Sequence, residues 1–208
     1  MKGLMFQANV WQGKRRILEQ SGEAQTRRLV GLEEINKEPD IYLPLQMPDG
    51  VWFFEKPDGD GVLPKPGYHV NEVVYVKEAW RVGDYSYPKC ANIMYRSDGF
   101  QKTVPWDEWL ERNTKYGGSC CGDEKWRSPM FLKSAYARYF IQITAIIWQR
   151  LQDITEADAI KEGVELGSAR GHFSILWDNL NPKFAWDSNP FVFVYTFHRV
   201  DKSVDMLR

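Results

Sequence analysis

The stretch RYFIQITAIIWQRLQDITEADAIKEGV, residues 138–164, decides the fold class of this chain. Its first eleven residues are rich in β-branched and aromatic side chains and predict one long strand over residues 138–148. A short helix follows, because Thr155 stands where an N-cap is needed and Asp158 lies three residues on, as in a capping box. Gly163 suits the end of that helix. A strand followed closely by a short helix predicts an α+β protein.

The C-terminal third of the chain continues this pattern. The segment GHFSILWDNLNP, residues 171–182, places Phe173, Leu176, Trp177 and Leu180 on one helical stripe that Pro182 ends. The segment FVFVYTFHRV, residues 191–200, is apolar on both faces, which predicts a central strand.

The N-terminal part adds a helix between two strands and then a long insertion. An amphipathic helix is predicted around Val10–Leu18, with Gly22 at its end and an extended segment over residues 25–30. Residues 31–70 are rich in proline and read as an insertion that contains a hairpin over residues 51–63. A strand is predicted over residues 73–80, and residues 84–132 are predicted to be irregular.

Composition limits the classes of function. The chain has 208 residues, a formal net charge of −1 and a pI near 6.3, whereas proteins that coat phosphate backbones are usually strongly basic. Nucleic-acid binding would therefore need a local basic patch or a pocket for one base. The three cysteines, the adjacent pair Cys120–Cys121 among them, lack zinc-ligand spacing, and no signal peptide or membrane span is predicted. We expect a cytoplasmic protein with no metal and no cofactor.

Several side chains are candidates for a ligand site. Glu78 interrupts the apolar row of VVYVKEAW, where it is either solvated at a strand end or placed at the mouth of a pocket. Thr26 and Arg28 share one face of their strand, and Arg27 takes the other. These arginines are either ordinary solvated groups or ligands for a phosphate or a base edge.

Two further features stand later in the chain. Glu162 lies in the last turn of the short helix, where the helix dipole disfavours a carboxylate by a few tenths of a kcal/mol up to about 1 kcal/mol. The loop WRSPMFLKSAYAR interleaves aromatic and basic residues, a pattern that extruded bases favour and that ordinary loops also show.

Taken in order, these stretches resemble the phage and prophage branch of the ASCH domain family. The resemblance rests on MKGLMFQANVWQGKRRILEQSGEAQTRRLV, VVYVKEAW, IMYRSDG, WRSPMFL, RYFIQIT, RLQDITEADAIKEGV, FSILWDNLN and NPFVFVYTFHRV. It implies a PUA-like small mixed β-barrel flanked by short helices. On this interpretation residues 1–208 form a single domain in which 31–70 and 99–125 are insertions or loops.

The resemblance also implies candidate catalytic residues. Some relatives are amidohydrolases that remove acetyl from acetylcytidine with a Lys, a Thr three residues later and a Glu in the short helix. By motif the Thr matches Thr26, the Glu matches Glu162, and Glu23 stands where the Lys belongs. A second carboxylate cannot balance developing negative charge as an ammonium can. Lys14 or Lys77 would have to supply the missing cation, so catalysis is disfavoured.

Three functions follow as hypotheses. The first is a protein that binds RNA or a modified nucleoside. The alternatives are a hydrolase with an altered catalytic set, and a phage accessory protein that binds a host protein through residues 31–70. The residues that we expect at the ligand are Arg28, Lys77, Glu78, Trp80, Trp126, Arg127, Ser128 and Arg138.

Overall fold

A computed structural model describes residues 1–47, 51–86, 89–113, 125–164 and 167–201. These residues form a mixed α+β structure with four α-helices and eleven strands, so the predicted α+β class is confirmed. The predicted Cys120–Cys121 loop lies outside the described residues. The helices are α1 (Ala8–Ser21), α2 (Glu108–Asn113), α3 (Glu156–Lys161) and α4 (Ala169–Leu180).

The strands form three sheets, with the orders β1-β6-β10-β11-β2, β3-β4-β5 and β7-β8-β9. Within the described ranges no sheet closes into the barrel that the family resemblance implies. Helices long and apolar enough to cross a bilayer are likewise not found in those ranges. The strand bounds are β1 (Gly3–Met5), β2 (Glu23–Arg28), β3 (Leu43–Gln46), β4 (Trp52–Glu55), β5 (Gly61–Val62), β6 (Val73–Lys77), β7 (Trp80–Ser86), β8 (Cys90–Tyr95), β9 (Gln101–Pro105), β10 (Phe140–Arg150) and β11 (Phe191–Val200).

The chain divides into two compact units. The first, here unit 1, comprises residues 1–15, 73–141 and the segment from Arg199 onward. It contains β1 in parallel with β6 and the meander β7-β8-β9, whose pairs are antiparallel. One face of the meander is buried with α2, in a cluster that includes Trp80, Ile93, Tyr95 and Leu110.

The second unit, here unit 2, comprises residues 16–72 and 142–198. Strand β11 pairs antiparallel with β2 and is buried along most of its length, as its uniformly apolar sequence predicts. Helices α3 and α4 cover β11 through a cluster that includes Phe173, Trp177, Val192 and Val194. The capping box of α3 is present, with Thr155 and Asp158 each bonded to the other's backbone N–H.

Residues 31–70 contain short 3₁₀ turns and the sheet β3-β4-β5. The predicted hairpin is confirmed, because β4 pairs antiparallel with β5 in the register Phe54 to Val62. The predicted helix around Val10–Leu18 also forms as part of α1, and Gly22 ends it with a left-handed φ of 76°.

Two predictions from the sequence are wrong. Residues 73–80 do not form one strand, because β6 ends at Lys77 and β7 begins at Trp80. Residues 84–132 are not irregular throughout, since β8, β9 and α2 form there. The alternation of β8 is weak in the sequence, because Cys90 and Met94 on its solvent side are not polar, although Ala91, Ile93 and Tyr95 face the core.

Asn36 fastens the base of the insertion to β11. Its buried side-chain amide donates to the carbonyl of Phe191 at 2.8 Å and accepts from the Phe191 N–H at 2.7 Å. We predict that Asn36→Ala lowers the free energy of unfolding by about 2–4 kcal/mol, because both backbone groups of Phe191 then stay buried without a partner. Chemical denaturation measures this. The control Asn92→Ala, which removes a surface contact to Thr103, should cost under about 1 kcal/mol, and equal losses would contradict the prediction.

Candidate functional site

Glu162 is the carboxylate that the family resemblance implies as catalytic. It lies in unit 2 and is hydrogen-bonded to Arg27 of β2. The Arg27 Nη1 donates to Glu162 Oε1 at 2.9 Å, and the two side chains are only 1% and 5% exposed. The guanidinium also lies over the Phe173 ring, with Cζ 5.8 Å from its centroid. This pair explains why a carboxylate is retained at the end of α3, since a buried cation outweighs the unfavourable helix dipole.

Arg27 is a residue whose role the sequence did not reveal. Alternation along β2 placed it on the face opposite Thr26, and in β11 its cross-strand neighbour is Val194. An arginine on the apolar face of a strand pair is the signal that could have indicated a buried ion pair. Its Nη2 lies 3.8 Å from Asp158 Oδ2, and its Nε has no hydrogen-bond partner among the residues that the structure describes.

Thr26 and Arg28 lie on the other face of β2, beside two tyrosines. Thr26 is buried opposite Tyr195 in β11, whose hydroxyl accepts from the Gly67 N–H at 3.0 Å. Tyr68 packs edge-on against Tyr195, with 5.5 Å between the ring centroids. Burial lowers the pKa of Arg28, while the charge of Glu162 and the two tyrosines act in the opposite direction. The charge of Glu162 thus acts on Arg28, while Thr26 lies on the face of β2 opposite Arg27, the bonded partner of Glu162.

Glu23, which occupies the position of the relatives' lysine, is itself bonded to a lysine. The Lys161 Nζ lies 2.9 Å from Glu23 Oε2, and both side chains are partly exposed. The ammonium of Lys161, the residue just before Glu162, therefore lies at this end of β2. Lys14 and Lys77, which the sequence suggested as replacements, lie in unit 1. Lys14 is buried with Nζ 5.5 Å from the Phe6 ring centroid, and Lys77 Nζ donates to the Met130 carbonyl at 3.3 Å.

In unit 1, Glu78 and Arg138 form a closed ionic network. The guanidinium donates through Nε and Nη2 to the two oxygens of Glu78, each at 2.8 Å. It also bonds to Ser97 and to both oxygens of Asp98, and it lies 4.3 Å from the centroid of the Tyr95 ring. The polar groups of Glu78 and Arg138 thus satisfy one another, which explains why Glu78 can be buried in an apolar row.

Asp98 lies at the solvent-exposed side of this network. Burial raises the pKa of its carboxyl, but hydrogen bonds from Arg138, the Phe100 N–H and Arg15 outweigh burial and lower the pKa to about 2. Burial lowers the pKa of Arg138 in turn, but its bonds to Glu78 and Asp98 raise that pKa above its ordinary value.

Trp80, Arg127 and Ser128 have mainly structural contacts. Trp80 is fully buried and stacks on Trp109, with 4.7 Å between the ring centroids. A β-bridge joins Trp80 to Arg127, whose guanidinium lies 5.0 Å from the Trp80 ring centroid and donates to the Asn113 carbonyl. The Ser128 hydroxyl caps the short 3₁₀ helix Pro129–Phe131.

Trp126 is half-buried and lies beside two arginines that the sequence did not single out. The Cζ atoms of Arg81 and Arg96 are 5.2 Å and 5.9 Å from the Trp126 ring. Arg81 pairs with Met94 across β7 and β8, which by strand alternation puts it on the solvent face of the meander, and Arg96 is exposed in the turn directly after β8. That alternation was the available signal, but it lay in a segment predicted to be irregular.

Groups of side chains suited to a metal ion are not found among the described residues. Comparison of the chain with protein-family models, with curated proteins and with solved structures finds no match. The function must therefore be inferred from the geometry of the two units.

The Asp98 network predicts a particular pH dependence. Because the pKa of Asp98 is lowered from 3.8 to about 2, its carboxylate stabilises the fold at pH values above 3.8, and that stabilisation is lost as the pH falls toward 2. We expect carboxyl NMR titration to give a pKa near 2, and Arg15→Gln to raise it by removing one donor. The control Asp84→Asn, at an exposed position of β7, should leave the pKa of Asp98 unchanged. An Asp98 pKa at or above 3.8 would contradict the network.

Proposed function

We propose that this protein binds single-stranded RNA, and that the solvent face of unit 1 around Trp126 is a contact surface. The observation that carries this proposal is the position of two guanidinium groups, those of Arg81 and Arg96, beside one half-buried indole ring. Unstacked bases bind to proteins by stacking on aromatic rings, while arginines contact the adjacent phosphates.

The charges of Arg81 and Arg96 are not neutralised within the part of the chain that the structure describes. Arg15, Arg112 and Arg138 of the same unit each form an ion pair with a carboxylate. Arg81 and Arg96 form none there, and the Arg81 Nε donates instead to the Met94 sulfur at 3.1 Å. A guanidinium without a carboxylate partner can bind an anion such as phosphate instead.

A base can compete with these arginines for the ring. An exposed cation–π contact contributes about 0.5–1 kcal/mol, whereas a base stacked on an aromatic side chain contributes about 1–3 kcal/mol. A nucleotide can therefore displace one guanidinium from the ring face and bind its phosphate to the same arginine. This local arrangement is compatible with the net charge of −1, because it needs no basic surface elsewhere.

The fold family remains part of the proposal. The order of strands and helices, with α1 between β1 and β2 and the capped helix α3 after the long strand β10, supports a PUA-like domain of the ASCH type. Domains of that kind are expected to handle RNA or modified nucleosides, so the resemblance and the Trp126 surface favour the same class of ligand.

We predict that a fluorescently labelled single-stranded RNA of twelve nucleotides binds the purified protein, and that the double variant Arg81→Gln/Arg96→Gln weakens binding at least about tenfold at low salt. Removing two phosphate contacts should also make the salt dependence shallower, by about 1.4 in the slope of log K against log[salt]. Fluorescence anisotropy over a salt series measures both quantities.

The matched control for this experiment is Arg112→Gln, which removes an exposed arginine that is already paired with Glu108 on α2. It should leave affinity and salt slope near the wild-type values. The proposal fails if wild-type protein does not bind the RNA, or if Arg112→Gln weakens binding as much as the double variant does.

A second candidate function is hydrolysis, and the Lys161–Glu23 contact is the observation that favours it. The relatives' set contains an ammonium, a threonine hydroxyl and a carboxylate. In unit 2 the corresponding groups are Lys161, Thr26 and Glu162, because Lys161 reaches the position that Glu23 occupies. An ammonium held there could balance negative charge that develops during attack on an amide carbonyl.

This alternative predicts slow release of acetate from acetylcytidine by the purified protein. Thr26→Val and Lys161→Met should each lower kcat by at least about a hundredfold, since members of a catalytic set act as a unit. Thr103→Val, at an exposed position in unit 1, is the control and should leave turnover unchanged. Absence of acetate release by wild-type protein at high concentration, or full activity in Thr26→Val, would exclude this mechanism.

A further inference from the structure

The sheet β3-β4-β5 of unit 2 has a solvent-exposed apolar face. In its register Leu45 lies opposite Phe53 and Leu43 opposite Glu55, and strand alternation adds Leu63 to the same face. Met47 and Val51 extend the row at one end, where the Met47 N–H donates to the Val51 carbonyl at 2.7 Å. The exposed fractions are 63% for Leu43, 44% for Leu45, 47% for Met47, 42% for Val51 and 48% for Leu63.

The opposite face of this sheet already belongs to the core. Phe54 is fully buried, and its ring lies 5.1 Å from that of Trp148 and 5.0 Å from that of Phe191. A sheet with one face in the core normally presents polar side chains on the other. Contiguous exposed apolar patches of more than a few hundred Å² are rare on monomers and mark interaction sites. This patch, which we call the β3–β5 face, is therefore unusual for a surface that only meets water.

The β3 edge of the sheet is protected against strand addition. Because Met47 bonds inward to β4, alternation directs the backbone groups of Leu43 and Leu45 inward and those of Pro44 and Gln46 outward. Pro44 has no N–H to offer, which is a common way to protect an edge strand. A partner of the β3–β5 face would therefore bind through side chains rather than by extending the sheet beyond β3.

The face is also built to be flat at its centre. The Phe53 ring lies over Gly61, and a Cβ atom at that position would overlap the ring. Glycine therefore lets the aromatic ring lie down across β5, between Leu45 and Leu63, so that the apolar row spans all three strands. A flat apolar face suits another protein surface better than a small molecule, which prefers a concave pocket.

Charge indicates which kind of protein fits. Residues 31–70 contain eight acidic and three basic residues, whereas the rest of the chain has four more basic than acidic residues. Glu55 lies on the β3–β5 face itself, and Asp58 and Asp60 stand in the turn between β4 and β5. A second copy of this face would bring like charges together, while a partner with lysines and arginines around an apolar centre would be complementary.

We propose that the β3–β5 face is a docking surface for another protein that presents an apolar surface bordered by lysine and arginine. Apolar burial supplies the affinity, and the acidic border supplies the preference for a basic partner. The residues of the β3–β5 face all belong to unit 2, and none of them is assigned to RNA binding.

The test uses two synthetic amphipathic helical peptides with the same leucine face, one with a lysine and arginine polar face and one with a glutamate polar face. We expect the cationic peptide to bind saturably, the anionic peptide to bind at least about tenfold more weakly, and Leu43→Ser/Leu45→Ser to weaken cationic binding about tenfold or more. Asp58→Asn/Asp60→Asn should weaken it less and reduce its salt dependence. Hydrogen exchange should show protection over residues 43–63.

The matched control is Ile175→Ser, because Ile175 is as exposed as Leu43 but lies on α4. It should leave peptide affinity unchanged, and the Leu43→Ser/Leu45→Ser variant should bind RNA as wild-type protein does. The proposal is overturned if both peptides bind equally, if the serine variant binds the cationic peptide normally, or if sedimentation shows a wild-type dimer that the serine variant loses. The last result would assign the face to a second copy of the chain.

Discussion

The buried ion pair between Arg27 and Glu162 is the constraint on which the candidate site of unit 2 depends. It fastens the end of α3 to β2 across 135 positions of sequence, and both side chains are almost fully shielded from water. Removing one partner of such a pair typically costs about 3–5 kcal/mol, because the other charge stays buried. The position of Glu162 is thus determined by folding, and its charge acts on the neighbouring Arg28 from a place that is already fixed.

The arginines of the chain fall into two groups with different consequences. Arg27 and Arg138 are largely shielded from water, and each bonds to a carboxylate of a distant segment and so holds two elements together. Arg81, on the solvent face of the meander, and Arg96, in the turn after β8, both lie beside the Trp126 ring. An arginine that is buried with a carboxylate stabilises the fold. An arginine beside the half-buried Trp126 ring can still bind an anion. This difference, more than the number of basic residues, distinguishes structural from functional candidates in a chain of nearly neutral charge.

Local patterns in the sequence predicted the elements whose signals are local. The capping box of α3, the glycine that ends α1 and the doubly apolar strand β11 are each specified by a few adjacent residues, and each forms as predicted. The meander β7-β8-β9 was missed because its strands are short and because the outward-facing residues Cys90 and Met94 of β8 are not polar, which weakens the alternation. The long strand predicted over residues 138–148 forms two residues later, as β10 over Phe140–Arg150.

The candidate sites were harder to predict because their contacts join distant positions. Glu78 was recognised as unusual, but its partner Arg138 lies sixty residues away, and nothing local indicates that the two bond in a bidentate pair. The end of β6 at Lys77 was hard to predict for the same reason, because the next residue, Glu78, bonds to the distant Arg138. Arg27 was assigned a face correctly, but its partner could be identified only from the fold.

The clamp between Asn36 and Phe191 has a consequence for how this chain tolerates change. It fixes the insertion where it leaves the core, whereas the turn at residues 56–60 is exposed and its Gly59 adopts a left-handed φ of 87°. Lengthening a loop costs little once its ends are fixed, since the entropy of closure grows only with the logarithm of its length. The tip of this hairpin is therefore a suitable place to graft an epitope or a labelling peptide while the core strand beneath keeps its register.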